Sequence, residues 1–231
     1  MTGRTEIPRL RRVPAQARSR ARVQRLLDTA EELLSAEGAE ALTTTRVAEE
    51  AGVSVGSLYQ YLPDKGAIVE ALARRYLAEF EALMGELERD IRRNPSGWID
   101  PVGRLIDTFA AAYRERPGYR ALWFGRELSD ELRAADRENK VALAQGVRRI
   151  ALGLGLARDD EYLRVAARAG VLATDSILQE AFRADPSGDA ALIEEAKRIL
   201  RLYLAEVVRH YQLSQFEHQI HAQTGTAGKN H

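Results

Sequence analysis

The stretch Thr43 to Lys65, TTTRVAEEAGVSVGSLYQYLPDK, packs two short helical segments around one glycine. Thr44 or Thr45 is placed to cap the first, whose Val47, Ala48 and Ala51 recur at i, i+1 and i+4 as a narrow apolar edge. Gly52 ends that helix, because the residue just past a helix C-terminus takes a left-handed conformation that glycine reaches without a Cβ clash. Val53 then turns inward as an apolar anchor. Ser54 restarts the chain as a second N-cap, Val55 to Tyr61 makes barely two turns, and Pro63 closes them. This is the pattern of a helix-turn-helix.

The outward positions of the second helix, Val55, Gly56, Ser57 and Gln60, are small or hydrogen-bonding, so its first turn can come close to base edges in a major groove. Tyr59, Tyr61 and Lys65 follow where phosphates would lie. The plainer alternative for the two tyrosines is packing against a neighbouring helix. With Thr44 and Thr45, the DNA-binding set is Thr44, Thr45, Val55, Gly56, Ser57, Tyr59, Gln60, Tyr61 and Lys65.

The segment LTTTRVAEEAGVSVGSLYQYLPDKGAIVEALA, Leu42 to Ala73, with the helix from Arg18 to Gly38 before it, resembles the tetracycline-repressor (TetR) family of transcriptional regulators. It fills nearly every position of that family's T-x-x-x-[IV]-A-x-x-A-G-V-S-x-G-x-[LI]-Y-x-[YH]-[FL]-x-x-K pattern. Pro63-Asp64 departs from the usual polar pair before Lys65. The resemblance covers about the first third of the chain. It implies an all-α protein: a three-helix DNA-binding domain, then a helical effector-binding and dimerisation domain, about nine helices in all. It also implies dimers built as a four-helix bundle from the last two helices of each chain.

Composition agrees with that class. The 231 residues can bury a substantial core, and Ala, Leu, Arg and Glu dominate over aromatic and β-branched runs. There is no cysteine, so disulfides and thiolate zinc sites are excluded and a reducing cytoplasm is the natural setting. No apolar run approaches the roughly 18 residues of a membrane span. Net charge is zero but segregated: residues 1–25 hold eight arginines against Glu6, a net +7 that leaves −7 for the remainder. One basic end on an acidic body is the asymmetry expected when only that end meets phosphate.

Residues 1–17 read as an arginine-rich flexible arm, either merely disordered or lying in a minor groove. Residues 18–75 form the DNA-binding domain, 76–213 the effector-binding and dimerisation domain, and 214–231 a polar tail. A helix from Arg18 to Glu37 carries Val23, Leu26, Leu27, Ala30, Leu33 and Leu34 on one face. After Asp64 a long amphipathic helix runs to about Arg92, belonging to both domains. A helix bearing Ile99, Val102, Leu105, Ile106, Phe109 and Tyr113 stops near Pro117-Gly118, and a short segment spans Tyr119 to Gly125. A long helix from about Ser129 to Leu154 follows, then Asp160 to about Ala184 and Asp189 to about Gln212.

The last two helices are apolar on more than one face, so either both are central in the monomer or one face meets a second copy. Leu172, Ile177, Ile199, Tyr203 and Val207 are the candidates for a homodimer interface. Asp107, Asn139, Arg168 and Asp175 are polar residues set among apolar ones. Asp175, on the line Val171, Asp175, Leu178, Phe182, needs a partner if buried, whether Arg168, a dimer mate or a ligand. With Phe109, Tyr113, Trp123 and Phe124 it makes a candidate pocket for a small, largely apolar effector. No hydrolase, nucleotide-binding or zinc-protease motif is present, which excludes an enzyme. His218 and His221 lack a third ligand, so neither a metal nor a cofactor is expected.

Overall fold

The computed structural model describes residues 17–124 and 130–227, with side chains described for 19–124, 130, 132–183 and 185–213. Among these residues every long regular element is an α-helix: α1 (Ala17–Glu37), α2 (Thr44–Glu50), α3 (Val55–Tyr59), α4 (Lys65–Arg93), α5 (Pro101–Glu115), α6 (Pro117–Trp123), α7 (Asp130–Gly153), α8 (Glu161–Ala184) and α9 (Ala190–Ala227). A 3-10 turn at Pro95–Gly97 joins α4 to α5. The all-α architecture of about nine helices is therefore met, while the N-terminal arm lies outside the described residues.

Caps explain most of the boundaries. Thr43, one residue before the expected pair, caps α2 by accepting from the Arg46 amide at 3.2 Å, since the helix already includes Thr44. Ser54 caps α3 as expected, and Asp64 accepts from the Ala67 amide at 2.8 Å at the start of α4. Asp100, Asp160 and Asp189 do the same for α5, α8 and α9. Ile99 consequently falls outside α5 and is 94% exposed. Pro117 does not stop a helix but opens α6, because the first turn needs no amide donor there. The backbone of α9 stays helical to Ala227, well past the expected end near Gln212.

Packing divides the chain into two compact units. The first comprises Met1–Glu81, Ala111–Asn139 and Phe182–Ser187. Its core joins Leu26 and Leu34 of α1, Leu42, Val47 of α2, Leu58 of α3, Leu62 and Ile68 of α4, all fully buried. Each such leucine or isoleucine contributes about 1.5–3 kcal/mol by leaving water. An aromatic cluster completes this unit. Tyr119 of α6 stacks on Trp123 at 4.3 Å and meets Tyr76 edge-on at 5.9 Å, while Tyr113 stacks on Phe182 at 5.2 Å and Phe80 touches Tyr113 at 5.7 Å. Gly118 lies against this cluster so closely that a Cβ there would stand 2.1 Å from Tyr76 Oη and 3.2 Å from Ser35 Oγ. The Tyr76 hydroxyl is buried without a hydrogen-bond partner, and burial pushes its pKa up to about 12.

The second unit comprises Ala82–Ala110, Lys140–Ala181 and Gly188–His231. One core gathers Met84, Leu87, Ile91, Trp98 and Ile150, with Leu105 and Phe109 against it. Another gathers Ala151, Leu163, Ala166, Val207 and Tyr211. The buried ammonium of Lys197 is held by Asp107 at 2.6 Å and Glu194 at 2.7 Å, and Arg149 grips the buried Glu88 in a two-pronged pair at 2.6 and 2.7 Å. Removing one partner from either pair would leave a buried charge uncompensated.

Candidate nucleic-acid interface

A helix of five residues does not persist alone in water, so α3 exists by virtue of its anchors. Leu58 is fully buried, and the Ser54 hydroxyl accepts from the Ser57 amide at 3.2 Å. The corner before it is fixed by Gly52 at φ +66°, where the Val53 amide reaches back to the Ala48 carbonyl at 3.0 Å and the Gly52 amide to Glu49. Two core contacts and one left-handed residue thus set the angle at which α3 leaves the protein.

The side of α3 away from Leu58 is open. Gly56 and Gln60 are exposed, Val55 and Ser57 half-buried, and a Cβ built on Gly56 would meet nothing within 4 Å. Tyr59 is 41% exposed, its hydroxyl 3.3 Å from the half-buried Thr44 hydroxyl, and Thr45 is exposed. Tyr61 departs from the sequence expectation. Its ring is 6% exposed and its hydroxyl donates to Ser19 Oγ of α1 at 3.3 Å, so the packing alternative describes it better than phosphate contact. Lys65 is exposed but anchored, its ammonium donating to the Ala39 carbonyl at 2.7 Å. A neutral carbonyl leaves that positive charge uncancelled.

The remaining cations of this unit sort into two groups. Arg46 makes a two-pronged pair with Glu37 at 2.7 and 2.8 Å, and that hydrogen bonding holds the Glu37 carboxyl below its usual range. Arg75 pairs with Asp28 and Glu31, and Arg74 with Glu70. These bind helix to helix. Arg22 of α1, by contrast, donates to the Ser57 hydroxyl on α3 at 3.3 Å and has no carboxylate partner among the described residues. Sequence spacing could not reveal it, since 35 residues separate the pair.

The candidate effector residues do not assemble into one group. Tyr113 and Trp123 are buried in the aromatic cluster of the first unit, where Trp123 also donates to Asp136 at 3.3 Å, and the Arg183 guanidinium lies over Phe124. Phe109 and Asp175 belong to the second unit. Asp175 pairs with Lys140 at 2.8 Å and accepts from Gln179, not from Arg168, and Asn139 donates to the Leu77 carbonyl at 3.1 Å. Of the dimer candidates, Val207 is corrected: it is 4% exposed and belongs to the core around Leu163. Ile177 is half-buried, whereas Leu172, Ile199 and Tyr203 are exposed. Around them runs an uncovered face: Tyr162, Val165, Ala169, Leu172, Ala173 and Ser176 on α8, and Leu192, Ile199 and Tyr203 on α9. His218 and His221 lie outside the described side chains.

Residues 26–72 match the tetR family of bacterial regulatory proteins, and residues 96–208 match the tetracyclin repressor-like C-terminal domain. The crystal structure of a TetR-family transcriptional regulator from Streptomyces coelicolor is 32% identical, covering 82% of this chain and 98% of its own, with a TM-score of 0.63. The chain belongs to the TetR family. This TetR-family transcriptional regulator carries its DNA-binding domain at the N-terminal side, where the helix-turn-helix lies. Curated relatives include the transcriptional repressor KstR of Mycolicibacterium smegmatis, 30% identical over 40% of this chain and 62% of that protein. The nucleoid occlusion factor SlmA of Vibrio vulnificus is 35% identical over 47% of this chain and 54% of that protein. The chain thus spans between half and two thirds of these relatives' lengths. Among the described residues, no helix is long and apolar enough to cross a membrane.

Proposed function

We propose that this TetR-family regulator is a repressor that binds a palindromic operator as a homodimer and releases it when a small, largely apolar effector enters the C-terminal domain. Residues 18–75 would hold the DNA and 76–213 the effector and the second copy. The observation that carries the DNA face is the open side of α3: Gly56 projects no atom, Gln60 and Thr45 are exposed, and the Lys65 and Arg22 charges beside them are uncancelled by any described carboxylate. Repression is favoured by the similarity to KstR, itself a transcriptional repressor. Dimerisation is favoured by the uncovered apolar face of α8 and α9, larger than a monomer keeps in water.

The test is a selection of the full chain against random duplex DNA. An inverted repeat is expected, with half-sites about one helical turn or a little more apart, and Gln60→Ala should relax one position in each half. A screen for small apolar compounds that raise the thermal midpoint, followed by operator titration, then tests release. A coupling of about 1–3 kcal/mol would lower operator affinity roughly 5- to 150-fold. A second reading has its own support. Tyr113 and Trp123 are occupied by ring packing, as a closed core would have them, so a regulator without an effector is the outcome if stabilising compounds leave operator affinity unchanged.

A further inference from the structure

The Ser57 hydroxyl has one proton and two lone pairs. Arg22 Nη1 fills one lone pair at 3.3 Å, and no described residue accepts the Ser57 proton. The Ser57 amide is already committed to the Ser54 cap, so the hydroxyl is free of its own helix. Arg22 cannot reverse this arrangement, because a guanidinium has five donors and no acceptor and stays charged at any working pH. A hydroxyl held in this way can only point its proton outward. The neighbouring cation opposes any second positive hydrogen brought to the same oxygen.

We propose that Arg22 is a specificity-determining residue that acts through Ser57, fixing that hydroxyl as a hydrogen-bond donor toward DNA. The base beneath Ser57 is then one that presents an acceptor in the major groove, a purine N7, guanine O6 or thymine O4. An amino group of cytosine or adenine at that point is rejected. This inference rests on the reading that α3 faces base edges, and it adds a residue of α1 to what α3 recognises. Without Arg22, Ser57 could rotate to accept as readily as it donates, and it would tolerate either kind of edge.

The experiment uses the full chain and duplexes from the random-DNA selection, with each base pair tried at each half-site position and 7-deazapurines in place of the purines. Arg22→Met, Ser57→Ala, the double variant and Gln60→Ala are titrated at two salt concentrations, with thermal unfolding as the folding control. Arg22→Met and Ser57→Ala should relax the same single position by roughly fivefold or more, and the double variant should do no worse than either. Arg22→Lys, which keeps a donor, should retain the preference. If Arg22→Met were to unfold, Arg22→Gln, whose amide both donates and accepts, should relax the same position. The proposal is overturned if Arg22→Met weakens all duplexes alike, lowers the salt slope by about one and adds to Ser57→Ala, for Arg22 would then be a phosphate contact. If Gln60→Ala relaxes a position while Arg22→Met and Ser57→Ala relax none, the α3 reading stands and this inference fails. If none of these variants changes any preference, the α3 reading fails with it.

Discussion

Gly56 separates what the fold needs from what the groove needs. It sits in α3 with an ordinary helical backbone, so Gly56→Ala should hold or raise the thermal midpoint, by up to about 1 kcal/mol of helix propensity. The added methyl would meet nothing in the protein and would stand between α3 and the base edges. Operator affinity measured by fluorescence anisotropy should fall by at least about tenfold, a cost of roughly 1.4 kcal/mol. Equal affinity would mean that DNA does not approach this face closely. Local chemistry made Gly52, Ser54 and Asp64 legible, because caps and left-handed corners depend on neighbours in sequence. The placements of Tyr61, Lys65 and Arg22 were not, because their partners Ser19, Ala39 and Ser57 lie 42, 26 and 35 residues away.

The helices followed from apolar periodicity, and their ends from capping aspartates. The misjudged ends have physical reasons. Proline suits a helix start as well as a stop, so Pro117 was ambiguous, and a polar tail can continue an existing helix without burying anything, as α9 does. Asp160 yields a prediction for one such end. It caps α8 through the Leu163 amide at 2.9 Å and accepts from the Tyr211 hydroxyl of α9 at 2.6 Å. The Tyr211 bond first, and the Leu163 amide after it, hold the Asp160 carboxyl below its ordinary value of 3.8. The unfolded chain therefore takes up this proton at a higher pH than the folded one. Its contribution is complete above the ordinary value and is lost as pH falls through it toward the lower folded value. Asp160→Asn should lower the midpoint at neutral pH and flatten its acid decline, as followed by circular dichroism. An unchanged slope would show that the bond to Tyr211 carries no stability.

For the molecule as a whole, the sequence marked α8 and α9 as two-faced without separating the faces. Val207 and Ile199 are both apolar and eight residues apart, yet one is 4% and the other 43% exposed, and only tertiary packing distinguishes them. The exposed face combines bulky Val165, Leu172 and Ile199 with small Ala169, Ala173 and Ser176, a surface on which helices can approach closely. Ile199→Arg leaves the described cores untouched. It should give a monomer in sedimentation at micromolar concentration and reduce operator affinity on the order of a hundredfold, since each half-site would then be bound singly. A dimer that survives this change would place the second copy elsewhere.

The seat of Gly118 against Tyr76 and Ser35 has a consequence for how α6 can respond to anything that disturbs it. Close-packed surfaces without room for a methyl group do not slide by degrees; they hold one arrangement or jump to another. The seated arrangement also strands the Tyr76 hydroxyl, a penalty of about 1–3 kcal/mol that ends as soon as water or a polar atom reaches it. α6 is thus a latch under tension, with two stops and no travel between them.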